Sequence, residues 1–76
     1  MSISKTKTIS FVIPCYNSYD TIEFVVNEIT STIKTRTGFD YQIILVNDNS
    51  PDRVIQKIEY LCQRDSNITG LDLARN

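Results

Sequence analysis

Asp48 stands among amides and a hydroxyl in the run Asn47-Asp48-Asn49-Ser50-Pro51-Asp52, and a second polar run, Pro14-Cys15-Tyr16-Asn17, lies well upstream. An ionised carboxylate only accepts hydrogen bonds. One that projects from a strand end can take a ring imino N–H, such as uracil N3–H or guanine N1–H. Cytosine has no such hydrogen, so the arrangement leans to uridine or guanosine. A local alternative stands beside this one: Asx and Ser residues at such places also bond their own backbone as turn and cap residues. For Ser50 the local role is the simpler one; for Asp48 both readings hold. Tyr16 is placed either to stack on a base or merely to pack. Cys15 has no neighbouring histidine or lysine to lower its pKa and reads as a small loop residue.

The rest of the composition narrows the chemistry. There is no histidine, which removes the usual general base and metal ligand at neutral pH. The two glycines, Gly38 and Gly70, are isolated, so neither a GxGxxG fingerprint nor a P-loop can be written. A dinucleotide oxidoreductase is thereby disfavoured. A phospho-accepting domain would carry its acidic pair after the first strand, whereas here the acid follows the second. Net charge is −1, with cations scattered among acids, so no basic face suggests nucleic acid. Cys15 and Cys62 are too far apart for a CxxC motif and read as free thiols of a reducing compartment. No apolar run approaches the ~20 residues of a membrane span.

The elements that must position these residues follow from hydrophobic periodicity. Thr8 to Ile13 is rich in β-branched and aromatic residues, nearly continuously apolar, and suits a strand covered on both faces. Pro14 closes it. Asp20 and Glu23 have capping-box spacing, with Asn17 or Ser18 as other caps, and Ile22, Val25, Val26, Ile29 and Ile33 form a helical stripe. Lys34 and Arg36 suit the helix end and Gly38 its stop. Tyr41 to Val46 is a second strand. Ser50-Pro51-Asp52 predicts a cap, a proline at the first helical position and an acid in the first turn. Val54, Ile55, Ile58, Leu61 and Cys62 form the second stripe, and Ile68 to Leu73 a third strand. The order is β-α-β-α-β, an α/β parallel sheet whose right-handed crossovers place both helices on one face. Parallel strands bring the loops at their carboxyl ends to a common rim, where ligands bind.

With 76 residues the chain is expected to form one small domain, residues 1–76, with residues 1–7 a disordered N-terminus. A parallel sheet covered on one face is not self-sufficient. The expectation is therefore the N-terminal piece of a longer protein, with self-association through the exposed sheet edge.

Val12-Ile13-Pro14-Cys15-Tyr16-Asn17, then Ile44-Leu45-Val46-Asn47-Asp48-Asn49-Ser50-Pro51-Asp52, then Leu73-Ala74-Arg75-Asn76 resemble the opening third of a family-2 glycosyltransferase with the GT-A fold. The Ser-Pro-Asp run and the closing Arg-Asn look most similar to enzymes that move a sugar onto a polyprenyl phosphate. The resemblance implies a Rossmann-like nucleotide-sugar site at the carboxyl rim. Pro14, Tyr16 and Asn17 would wrap base and ribose, Asp48 would read the base imino group, and Arg75 would lie beside phosphates or base. The family often has two acids after the second strand; here the first is Asn47, whose role is thereby open. The Asp-x-Asp metal motif, catalytic base and acceptor site of the family fall on no residue of this chain. The implied activity is transfer from a UDP- or GDP-sugar to a polyprenyl phosphate or growing polysaccharide of the cell envelope. Magnesium or manganese is expected in the full-length enzyme and none on this segment, which alone is expected to be inactive. The implied location is cytoplasmic, and the resemblance also allows the parent enzyme a place at the cytoplasmic face of the membrane. The alternative is a non-catalytic α/β nucleotide-binding or interaction module.

Overall fold

A computed structural model describes residues 7–73. The order is β1 (Lys7–Cys15), α1 (Ile22–Lys34), β2 (Phe39–Asn47), α2 (Val54–Arg64) and β3 (Ile68–Asp72). The three strands form one parallel sheet in the order β1-β2-β3. This is the β-α-β-α-β arrangement expected from the periodicity.

Boundaries moved where pairing could propagate. Lys7, assigned to a disordered N-terminus, pairs with Phe39, because β2 begins two residues earlier than the apolar run alone indicates. The remainder of that segment lies outside the described residues. Pro14 does not close β1: it is opposite Val46, and Cys15 opposite Asn47 continues the ladder. The strand tolerates proline because, among the described residues, β1 pairs with β2 alone, and a missing N–H is harmless on an open edge.

The core lies between the sheet and its two helices. Cys15, Ile43, Leu45 and Ile68 from the strands meet Ile22 and Val26 of α1 and Val54, Ile58 and Leu61 of α2. The pleat sends alternate side chains to opposite faces, so Phe11, Ile13 and Cys15 point the same way as Tyr41, Ile43 and Leu45. Cys15 is thus a core residue rather than a loop residue. Burial raises its thiol pKa, with the nearby Asp52 charge adding to the effect against a backbone hydrogen bond from Val46. Gly70 lets α2 come down onto β3: a Cβ there would meet Ile58 Cγ2 at 2.6 Å. The α1 stripe is narrower than its spacing indicates, since Val25 is exposed while Ile22, Val26 and Ile33 are buried.

The caps also differ from expectation. Neither helix has a side-chain bond from its N-cap residue, Thr21 or Arg53. Glu23, the acid of the expected capping box, instead bridges the helices, accepting from Arg64 at 3.0 Å and Lys57 at 3.4 Å. Two cations on α2 compete successfully for that carboxylate. Helix α1 ends at Lys34, and Gly38, with φ of 87°, lies in the turn that feeds β2.

Among the described residues nothing covers the opposite sheet face. Val12 is 64% exposed and Leu71 48% exposed, with Ile44 and Val46 between them only half-buried. The expectation that β1 is covered on both faces is therefore not met by these residues. An apolar face beside an open strand edge favours pairing with a second chain. The expected outcome is a mass that rises with concentration in light scattering, and that falls in Val12→Lys. A monomer mass that stays constant at high concentration would contradict it.

Candidate functional site at the carboxyl rim

β1 and β2 end level. Cys15 and Asn47 are the last paired residues, so Tyr16 and Asp48 leave the sheet together. Each chain then turns through a left-handed asparagine: Asn17 has φ of 54° and Asn49 φ of 56°. Non-glycine residues seldom adopt that region, and Asn is among those that tolerate it. The two elbows are therefore near copies of one backbone device.

A network of hydrogen bonds ties the elbows together. Asn17 N–H donates to Ser50 Oγ at 2.9 Å, and Ser50 Oγ donates to Asp52 Oδ1 at 2.5 Å. Tyr19 N–H donates to Asp52 Oδ2 at 3.0 Å, and Val54 N–H to Asp52 Oδ1 at 3.1 Å. One carboxylate thus holds the first elbow, its own elbow and the start of α2. Ser50 does not cap α2, because its hydroxyl is committed to the first elbow. The helix begins at Val54, with Asp52 satisfying that orphan N–H.

Asn47 locks the second elbow to β3. Its side chain is buried; Oδ1 accepts from Ser50 N–H at 3.1 Å and Nδ2 donates to Asp72 Oδ1 at 3.1 Å. Its carbonyl accepts from Leu73 N–H at 2.8 Å. An ionised aspartate at this position could not donate to Asp72. The place of Asn47 is therefore inside the scaffold and not on the binding surface.

Tyr16, Asn17 and Asp48 are exposed, and no group among the described residues bonds the Asp48 carboxylate. Pro14 is also exposed but lies on the bare sheet face with Val12, one residue short of the elbow. The structure brings Tyr16, Asn17 and Asp48 to one rim, with Pro14 just beneath it. Arg75 lies outside the described residues. Ser50 and Asp52, which the local spacing assigns to a helix start, turn out to be the link between the elbows. Both cross-elbow bonds span 33 residues, and nothing in the local pattern marks such a partner. A hollow of about 460 Å³ lined by Tyr19, Asp20, Pro51, Asp52 and Arg53 lies beside the link; Tyr16 and Asp48 stand outside it. Among the described residues no three His, Cys, Asp or Glu side chains gather to hold a metal ion, so the magnesium or manganese expected of the full-length enzyme finds no fitting ligand set in them. Cys15 and Cys62 are free thiols, and among the described residues no helix is long and apolar enough to cross a membrane.

Asp52 has its pKa held below the usual carboxylate value, first by the Ser50 hydroxyl and then by the Tyr19 and Val54 N–H groups. A carboxylate depressed in the folded state adds stability above its ordinary pKa of 3.8 and loses it as pH falls through the lower folded value. Thermal melting from pH 5 downward should therefore show an acid limb below about pH 4 that is flatter in Asp52→Asn. Unchanged limbs in the two proteins would contradict the assignment. For Asn47→Asp, the lost donor and the new charge beside Asp72 should cost about 1–3 kcal/mol in denaturant unfolding. A variant as stable as the wild type would show that the Asn47–Asp72 bond contributes nothing.

Comparison with known proteins agrees with this architecture. The model of the family described as glycosyl transferase family 2 matches residues 10–76. The chain is 35% identical over 69 residues to an undecaprenyl-phosphate 4-deoxy-4-formamido-L-arabinose transferase of Pseudomonas fluorescens (strain SBW25), covering 90% of this chain and 20% of that protein. It is 32% identical over 56 residues to a dolichol-phosphate mannosyltransferase of Pyrococcus furiosus, covering 74% of this chain and 15% of the other. It is 35% identical over 75 residues to an uncharacterized glycosyltransferase, EpsJ, of Bacillus subtilis (strain 168), covering 90% and 21% respectively. The chain thus spans about a fifth of the length of the curated relatives it matches. With a match over residues 10–76, the chain belongs to glycosyl transferase family 2.

Proposed function

We propose that this chain forms the nucleoside-recognising rim of a glycosyltransferase that uses a nucleoside-diphosphate sugar. The observation that carries the reading is the Asp48 carboxylate, exposed at the end of β2 and bonded by no group among the described residues, beside the exposed Tyr16 and Asn17. Every neighbouring polar side chain with a bond across the elbows is consumed by the scaffold. Asp48 is left to meet a ligand. It accepts the imino N–H of uracil or guanine, Tyr16 lies against the base or ribose, and Asn17 lines the same edge. Pro14 stiffens the chain just beneath, and Arg75 adds a cation toward base or phosphates.

In the whole enzyme, an acceptor oxygen attacks the anomeric carbon and the nucleoside diphosphate departs. The charge on that leaving group would call for a divalent ion, magnesium or manganese, held by residues other than the described ones. The residues described here hold the nucleoside and contribute no ligand set for the ion, so the chain by itself is inactive in transfer. The acceptor class follows the relatives: two of them are a transferase acting with undecaprenyl phosphate and a mannosyltransferase acting with dolichol phosphate. A polyprenyl phosphate is accordingly the proposed acceptor of the whole protein, with a growing envelope polysaccharide the second candidate. Free thiols fit a reducing compartment, which favours a cytoplasmic location for this segment.

Titration of the chain with UDP, GDP and CDP tests the reading. UDP or GDP should bind more tightly than CDP, and Asp48→Ala should weaken the preferred one by about tenfold, the worth of one hydrogen bond to a charged group. Equal binding by wild type and Asp48→Ala, or no preference against CDP, would overturn the assignment and leave a non-catalytic interaction module. Sugar transfer by the purified chain would overturn the claim of inactivity.

A further inference from the structure

The residues that face a nucleoside on this rim sit on two separate elbows, so their mutual spacing needs its own explanation. β1 and β2 pair only as far as Cys15 and Asn47. Beyond that point no sheet hydrogen bond holds Tyr16 and Asn17 relative to Asp48. The first elbow is in a left-handed conformation at Asn17; inside it Ser18 Oγ donates to Tyr16 O at 3.0 Å, and Ser18 O accepts from Thr21 Oγ1 at 3.4 Å and from the Thr21 and Ile22 N–H groups at 3.1 and 2.8 Å. Those bonds shape the elbow and tie it to the start of α1, but none reaches the elbow that carries Asp48.

Placement comes from the other elbow. Ser50 Oγ accepts the Asn17 N–H and donates its own O–H to Asp52 Oδ1, while the second carboxylate oxygen accepts the Tyr19 N–H. The two contacts straddle the turn, one on each side of Ser18, so they fix its orientation as well as its distance. Asp52 is in turn fixed by the Val54 N–H, and Ser50 by its own N–H on the buried Asn47 amide. The chain of support runs from the core through Asn47 to Ser50, and from α2 through Asp52, into the first elbow.

We propose that Ser50 and Asp52 are positioning residues that hold the Tyr16–Asn17 elbow at the working distance from Asp48, a claim that rests on the nucleoside-binding reading above. Neither side chain is required to touch the ligand. With the link broken, the first elbow is held only through its bonds to α1, so it samples more positions relative to Asp48 and a nucleoside must order it on binding, which weakens affinity. The link also joins residues that a purely local helix cap would leave separate.

The test uses Ser50→Ala, Ser50→Thr and Asp52→Asn in the full 76-residue chain, with UDP and GDP as probes. Ser50→Thr keeps a hydroxyl in place. Asp52→Asn keeps an acceptor for Val54 N–H but sets an amide N–H against Tyr19 N–H. Three readouts are needed: amide hydrogen exchange at Asn17 and Tyr19, nucleotide affinity, and thermal melting. Ser50→Ala should speed exchange at Asn17 and weaken nucleotide binding about three- to tenfold, and Ser50→Thr should restore both. Asp52→Asn should speed exchange at Tyr19 and weaken binding to a similar degree, and it carries the test if Ser50→Ala does not fold. A melting temperature lowered with affinity intact marks a stability role alone and overturns the proposal. So does unchanged exchange in both variants. If the wild-type chain binds neither nucleotide, the nucleoside reading itself fails and the positioning role falls with it. If the wild type binds and the variants bind equally well, only the positioning role fails.

Discussion

The parallel register between β1 and β2 governs everything at the rim. Nine consecutive pairs run from Lys7 with Phe39 to Cys15 with Asn47 without a bulge or slip. A slip of one residue would reverse the faces of a strand, turning Cys15 outward and Val12 into the core. It would also offset the two elbows. Because the register is unbroken, Tyr16 and Asp48 emerge side by side, and Asn17 and Asn49 turn the chain at corresponding steps. What holds the register is the packing of alternate residues, Phe11, Ile13 and Cys15 with Ile43 and Leu45, beneath α1 and α2.

Polar groups at the rim divide into two populations with different fates. Asn47, Ser50, Asp52 and Asp72 bond to one another or to backbone N–H groups, and Asn47 does so while buried. A buried amide satisfied on both its oxygen and its nitrogen rigidifies the site around it. Asp48 and the side chains of Tyr16 and Asn17 remain on the surface. The same division explains why the carboxamide at position 47 suits this chain: it donates to one carboxylate and accepts from a backbone N–H, whereas a carboxylate can only accept. The carboxamide at position 47 is therefore a structural solution, and Asp48 is the acid of this elbow left on the surface.

Much of this was legible in the residues. Apolar stripes with helical spacing, from Ile22 to Ile33 and from Val54 to Cys62, located both helices, and short β-branched runs located the strands. The topology followed from the order of the elements. Less legible was anything decided by a partner distant in sequence. Pro14 reads as a strand terminator until one knows that β1 has a single neighbour. Glu23 reads as a capping-box acid until Lys57 and Arg64 are brought beside it. Ser50-Pro51-Asp52 has the composition of a helix start, yet Ser50 and Asp52 serve the first elbow, 33 residues away. Cys15 followed the same logic, assigned to a loop by its neighbours and to the core by the pleat.

The energetics of the elbows set them apart from a plain turn. Each places a non-glycine residue in the left-handed region, at a cost of roughly 1 kcal/mol that asparagine reduces but does not abolish. A simple connection between a strand and a helix does not need that cost twice, nor a carboxylate to fasten the two turns together. The return comes from Asp52, whose several hydrogen bonds stabilise both turns in one arrangement. With the backbone held in that way, Tyr16 and Asp48 can stay out of the protein's own bonding. Side chains left exposed on a stiffened frame lose little further freedom when a ligand arrives, and that is the physical condition for recognition at an open rim.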